Sequence, residues 1–204
     1  MNIICFETEW LYNHHIKDER FNLNCQPILH CLKEFYGCDY IYRNFLTIDN
    51  LVFYMDYFNK SAFKPKKYPI VYISTHGLTS TICLEGVKED KRKKKQIVED
   101  EDKSEIKLSE LAKISNGFFE DRIVHFSSCL TLRNVDAAME FKEDTGALYV
   151  SGYQKSVDAM RSAILDMAYL NALQCYRPNT LVKETSRFQK SYRSLMDDLK
   201  FIII

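Results

Sequence analysis

Arg122-Ile-Val-His-Phe-Ser-Ser-Cys-Leu-Thr131 (RIVHFSSCLT) holds the reading of the fold. Ile123–Phe126 is a short apolar run rich in β-branched and aromatic residues, the composition of a buried strand. It breaks into Ser127, Ser128 and then Cys129. A cysteine behind two small polar residues at a strand's carboxyl end is either one more buried thiol or a nucleophile held at a sheet edge. A second apolar run, Tyr68–Ser74, ends similarly, in Thr75-His76-Gly77.

Around these two runs, short strands alternate with helical patterns. Ile3–Phe6 and Asp39–Tyr42 read as strands, with Ser80–Leu84 and Ala147–Ser151 after them. Helical spacing of apolar residues covers Pro27–Tyr36, stopped by Gly37, and Ile48–Phe58. Further helices are expected over Leu108–Ile114 with Ser109 as its cap, Val135–Lys142, Val157–Gln174 and Lys183–Lys200. This alternation predicts a three-layer α/β/α sandwich with a mostly parallel central sheet. The 204 residues make one domain, 1–204, with a charged flexible insertion at about 86–106, where a basic block, Lys91–Lys95, precedes an acidic one, Glu99–Asp102. The terminal Phe201–Ile204 is too short to cross a bilayer and reads as packed or pairing.

Composition narrows the function. Lysine plus arginine equals aspartate plus glutamate at 28 each, so no global basic field argues for nucleic acid. Seven cysteines, an odd number at unpaired spacings, sit mostly in apolar surroundings, as reduced thiols do. With no signal-peptide pattern and no apolar run long enough for a membrane span, a cytoplasmic location is expected. Cys25, His30, Cys31 and Cys38 lack zinc-site spacing, so no metal and no cofactor is expected. His125 lies inside its strand, pointing opposite to its neighbours, and reads as a packing or supporting residue. His14-His15 fall in a polar loop. Arg133 stands four residues after Cys129, too close for a phosphatase cradle, and no glycine-rich phosphate loop is present.

Parallel sheets place their sites at the carboxyl ends of the strands. That rule selects Ser74–Gly77, Ser127–Cys129 and Ser151–Tyr153. Neighbouring strands would deliver His76 and Cys129 to one edge. A thiol nucleophile needs a base within reach and amide donors for the oxyanion. His76 can be the base, and the backbone N–H groups of Gly77 and Cys129 the donors.

His76 precedes Cys129 by 53 residues, near the roughly 50-residue separation of caspases. VYISTHG (Val71–Gly77), IVHFSSC (Ile123–Cys129) and ALYVSGY (Ala147–Tyr153) with Asp158 resemble the caspase-fold cysteine peptidases, most closely the bacterial caspase-like and CHAT branch related to separase. The resemblance spans about residues 68–170. It implies a His76/Cys129 dyad and an oxyanion hole from the Gly77 and Cys129 amides. It also implies a pocket for the residue before the scissile bond (P1), based on Asp158 with Ser127, Ser151 and Tyr153, taking arginine over lysine. It departs from animal caspases in having no Gln-Ala-Cys segment, and Ala159 stands where relatives carry a bulky aromatic. The expected partners are a protein or peptide substrate and an activator or regulatory protein; the resemblance implies a setting in bacterial defence or regulated proteolysis, and the basic Lys91–Lys95 block of the charged insertion is the expected place for autoprocessing. The competing readings are a silent interaction module that binds a partner through its charged loop, and a flavodoxin-like small-ligand binder.

Overall fold

The computed structural model describes residues 1–8, 25–84 and 105–204. The charged segment, its basic block, the autoprocessing sites placed there and His14-His15 lie outside the described residues. The exceptions are Glu105 and Ile106, which form a strand.

In chain order the elements are β1 (Ile3–Glu7), α1 (Gln26–Tyr36), β2 (Tyr40–Asn44), α2 (Ile48–Phe58), β3 (Ile70–Ser74), β4 (His76–Leu78), β5 (Thr81–Cys83) and β6 (Glu105–Lys107). There follow α3 (Leu108–Ile114), β7 (Ile123–Ser127), α4 (Val135–Thr145), β8 (Tyr149–Tyr153), α5 (Ala159–Cys175), α6 (Pro178–Leu181), α7 (Arg187–Leu199) and β9 (Phe201–Ile203).

Six strands form the central sheet in the order β2-β1-β3-β7-β8-β9, while β4, β5 and β6 make a small antiparallel sheet. Every pairing in the central sheet is parallel except β8 with β9. The strands β1, β3 and β7 are buried along their whole length, which is why they read as continuous apolar runs and not as alternating ones.

Alternate residues feed two separate cores. Ile4, Phe6, Val71, Ile73, Val124 and Phe126 pack beneath α2, α3 and α4. Ile3, Cys5, Ile70, Tyr72 and Ile123 pack beneath α1, α5 and α7. This is a three-layer α/β/α sandwich. No described helix is long and apolar enough to cross a membrane.

Local chemistry sets the ends of the elements. Thr47, Asn134, Asp158 and Ser186 cap α2, α4, α5 and α7 through side-chain oxygens that accept backbone N–H groups. Ser109 does not cap α3; Glu110 reaches back instead, its carboxylate accepting the Lys107 N–H at 3.2 Å. The helix expected over 183–200 is α7, which starts later, at Arg187, because the Ser186 side chain caps it; α6 is a separate short turn before it. Left-handed backbone at Lys200 (φ 51°) then turns the chain into β9, so Phe201–Ile203 pairs with β8 of its own chain.

At the amino end of β7 the Arg122 guanidinium is wholly buried. Its Nη2 donates to the Phe58 and Phe63 carbonyls at 3.3 and 2.6 Å, and it lies 4.3 Å from the centre of the Phe118 ring. Burial lowers its pKa to about 10. The Phe58 carbonyl is the last of α2, the helix end where a cation is favoured.

Candidate active site

Register brings the two sequence motifs together. Ser74 of β3 pairs with Ser127 of β7, and the Thr75 N–H continues the ladder onto the Ser127 carbonyl at 3.3 Å. His76 and Cys129 each lie two residues beyond that paired level, so they leave adjacent strands at the same height. His76 then enters the β4–β5 hairpin, whose turn places Ser80 at φ 56°.

Gly77 presses directly on the cysteine loop. A Cβ built there would sit 2.3 Å from the Cys129 carbonyl oxygen and 2.4 Å from Thr131 Oγ1. Only glycine permits this approach. The hairpin is further fixed by Thr131 Oγ1, which donates to the Thr81 carbonyl at 3.3 Å and contacts Ser128 Oγ at 2.6 Å.

Cys129 is half-buried and His76 is exposed. The sulfur accepts the Val157 N–H at 3.4 Å, with Ser156 Oγ and the Val157 carbonyl each at 3.8 Å. His76 is not among these contacts. Among the described residues the Cys129 N–H has no acceptor. The next residue, Leu130, is left-handed at φ 61°. For a non-glycine residue this costs on the order of 1 kcal/mol, and such strain gathers at functional loops. Two bonds hold the loop in place: Leu130 N–H to the Lys155 carbonyl and Leu132 N–H to the Tyr153 carbonyl, both 3.1 Å.

Beneath the loop lies a buried polar cluster that sequence reasoning did not anticipate. Asp166 of α5 is fully buried and accepts four hydrogen bonds. His125 Nε2 lies at 2.8 Å, Ser127 Oγ at 2.5 Å, the Tyr72 hydroxyl at 3.0 Å and the Tyr153 hydroxyl at 2.5 Å. A carboxylate only accepts, so His125 carries a proton on Nε2 and turns Nδ1 to the Ser151 hydroxyl at 3.0 Å. Its ring stacks on Tyr72, with centroids 5.5 Å apart. Burial first, and then the charge of Asp166, push the Tyr72 and Tyr153 phenols well above their usual pKa. A second buried carboxylate, Glu7, ends β1 on the Ser74 level; it accepts the Cys25 N–H at 3.1 Å, Ser74 Oγ at 3.3 Å and the Tyr42 hydroxyl at 2.7 Å. A recess of about 30 Å³ opens between these groups, lined by Tyr72, Ser74, Ser127, Ser162 and Asp166.

The structure therefore gathers His76, Gly77 and Cys129 and separates the other expected site residues. Asp158 is exposed, and its carboxylate caps α5 by accepting the Arg161 N–H at 2.9 Å. It stands beside Val157, at the rim of the sulfur's surroundings and outside the recess. Ser151 and Tyr153 are not an open pocket wall: both are fully buried and turn inward to His125 and Asp166. Of the expected pocket residues only Ser127 reaches the recess. The cysteines and histidine of the 25–38 stretch also part company, with Cys25 Sγ 3.3 Å from Cys5 Sγ and His30 Nε2 3.2 Å from the Tyr40 hydroxyl. The signal for Asp166 was present as one carboxylate inside an apolar helical run, Ile164–Leu170.

An α/β sandwich with a histidine and a cysteine at adjacent carboxyl strand ends is thus the class that fold and site define. The chain belongs to the family described as "Family of unknown function (DUF6642)", which matches residues 1–203. No curated protein matches it.

Proposed function

We propose that this protein is a caspase-fold cysteine endopeptidase with His76 and Cys129 as its dyad. What supports the reading most is the packing of Gly77 on the Cys129 carbonyl, which fixes the histidine-bearing turn against the cysteine loop. The Cys129 N–H, which meets no acceptor among the described residues, and the left-handed Leu130 beside it add to that support.

In this reaction the Cys129 thiolate attacks the scissile carbonyl carbon, and the oxyanion rests on the Gly77 and Cys129 N–H groups. The C–N bond breaks as His76, holding the thiol's proton, passes it to the leaving amine. Water, giving a proton to His76, then attacks the thioester, and the sulfur recovers a proton as the carboxylic acid departs. The hydrogen bonds from Val157 and Ser156 hold the sulfur before substrate arrives, and His76 comes within reach of it in the substrate complex. Asp158, exposed one residue past Val157, would receive a basic P1 side chain, arginine in preference to lysine.

The test is a fluorogenic peptide panel with Arg, Lys, Asp, Asn and Leu at P1. Cleavage after Arg or Lys, lost in Cys129→Ala, is expected. Cleavage after Asp would keep the dyad and overturn the basic pocket. No cleavage, together with a Cys129 no more reactive to iodoacetamide than the other cysteines, would leave the interaction module as the better reading.

A further inference from the structure

We propose that Asp166 is the positioning residue of this site and that Ser127 is the arm through which it sets Cys129. The inference rests on the peptidase reading above. One carboxylate on α5 gathers donors from three successive strands: Tyr72 from β3, His125 and Ser127 from β7, and Tyr153 from β8. Each of these strands carries part of the site at its carboxyl end. β3 leads to His76 and Gly77, and Ser127 stands two residues before Cys129. The Tyr153 carbonyl holds the far side of the cysteine loop through the Leu132 N–H.

Asp166 also lines the recess, which raises the question of a substrate cation. A carboxylate offers about four lone-pair directions, and here all four are filled by the protein's own donors. It is therefore occupied as an organiser and has no direction left for a guanidinium. A buried charge is also a costly way to pack a core; apolar side chains of similar volume often serve stability as well or better. What an apolar side chain cannot supply is direction. The Asp166 carboxylate fixes the Ser127 hydroxyl, and with it the point where the strand ends and the cysteine loop begins.

The experiment compares wild type, Ser127→Ala, Ser127→Thr and Asp166→Asn. The readouts are kcat and KM on the best P1 peptide, the rate of Cys129 alkylation by iodoacetamide located by peptide mass mapping, and thermal unfolding as the control for folding. Ser127→Ala is expected to fold, to keep KM, and to lose about 10- to 100-fold in kcat, the scale of a small misplacement of the reacting group. Ser127→Thr, which retains the hydroxyl, recovers most of that loss. Asp166→Asn moves the same readouts in the same direction; if it fails to fold, the Ser127 pair decides alone. Wild-type kcat and alkylation in Ser127→Ala, with an active wild-type enzyme, would overturn the proposal and leave the peptidase reading intact. A wild-type protein that neither cleaves nor alkylates preferentially at Cys129 would overturn that reading and the proposal with it.

Discussion

At the scale of single residues, the closest contact in the site is also its most sensitive. In Gly77→Ala the new methyl meets a backbone carbonyl and a bonded threonine, so the hairpin must lift from the cysteine loop. The expected outcome is a folded protein whose cleavage and Cys129 alkylation rates fall about 100-fold; wild-type rates would refute the packing argument. The buried phenols give a pH signature. Tyr72 and Tyr153 are pushed upward by burial and by Asp166, and burial raises Tyr169 to about 12. Unfolded tyrosines ionise near pH ~10, below these folded-state values. The stability these groups contribute is therefore complete below about pH 10 and is lost as pH rises through the folded-state values, by up to about 1.4 kcal/mol per pH unit per group. Urea midpoints should fall from about pH 10 upward, less steeply in Tyr153→Phe. An equal slope in both proteins would contradict the assignment.

That His76, Gly77 and Cys129 share one edge was legible in the sequence, because each follows an apolar strand and strand ends in a parallel sheet lie together. Ser151 and Tyr153 were misplaced because the strand-end rule says where a residue stands but not which face it presents. Asp166 was missed because a carboxylate within a helix reads as solvated until the donors on neighbouring strands are known. Those donors come from positions 72, 125, 127 and 153, a set that no local pattern connects.

At the scale of elements, the start of α5 carries two tasks on one side chain. Asp158 caps the helix, and in the proposed reaction it meets the substrate's cation. The two separate by substitution. Asparagine caps as well as aspartate, so Asp158→Asn should keep the melting temperature and lower the preference for arginine over its neutral isostere citrulline about tenfold. Asp158→Ala should also lose about 1 kcal/mol of stability. An unchanged arginine preference in both variants would leave Asp158 as a cap alone. The elements themselves were well marked in the sequence, since Gly37 and Gly146 stop α1 and α4 and polar caps start most helices. The start of the last helix was not, because Thr185 and Ser186 are both cap-type residues within a polar stretch.

For the whole molecule, the carboxyl-terminal strand closes the sheet and covers the polar cluster. Phe201 packs against His125, Tyr153 and Tyr169, with ring centroids 5.8, 5.5 and 5.3 Å apart. Phe201→Ala should cost about 3–5 kcal/mol in urea unfolding, the range for a buried aromatic. Removing 201–204 should expose the β8 edge and promote aggregation. A truncated protein that stays monomeric with an unchanged midpoint would show that β9 is dispensable. These effects reach the site because α5, which carries Asp166, and the Phe201 side chain of β9 pack in the same core on one face of the sheet.

The central claim, that His76 and Cys129 form one reactive pair, is tested most directly by labelling with a peptidyl-arginine acyloxymethyl ketone followed by intact mass and peptide mapping. The account predicts one adduct, on Cys129, formed by the wild-type protein and lost in His76→Ala. No adduct on Cys129, or equal labelling with and without His76, would contradict it.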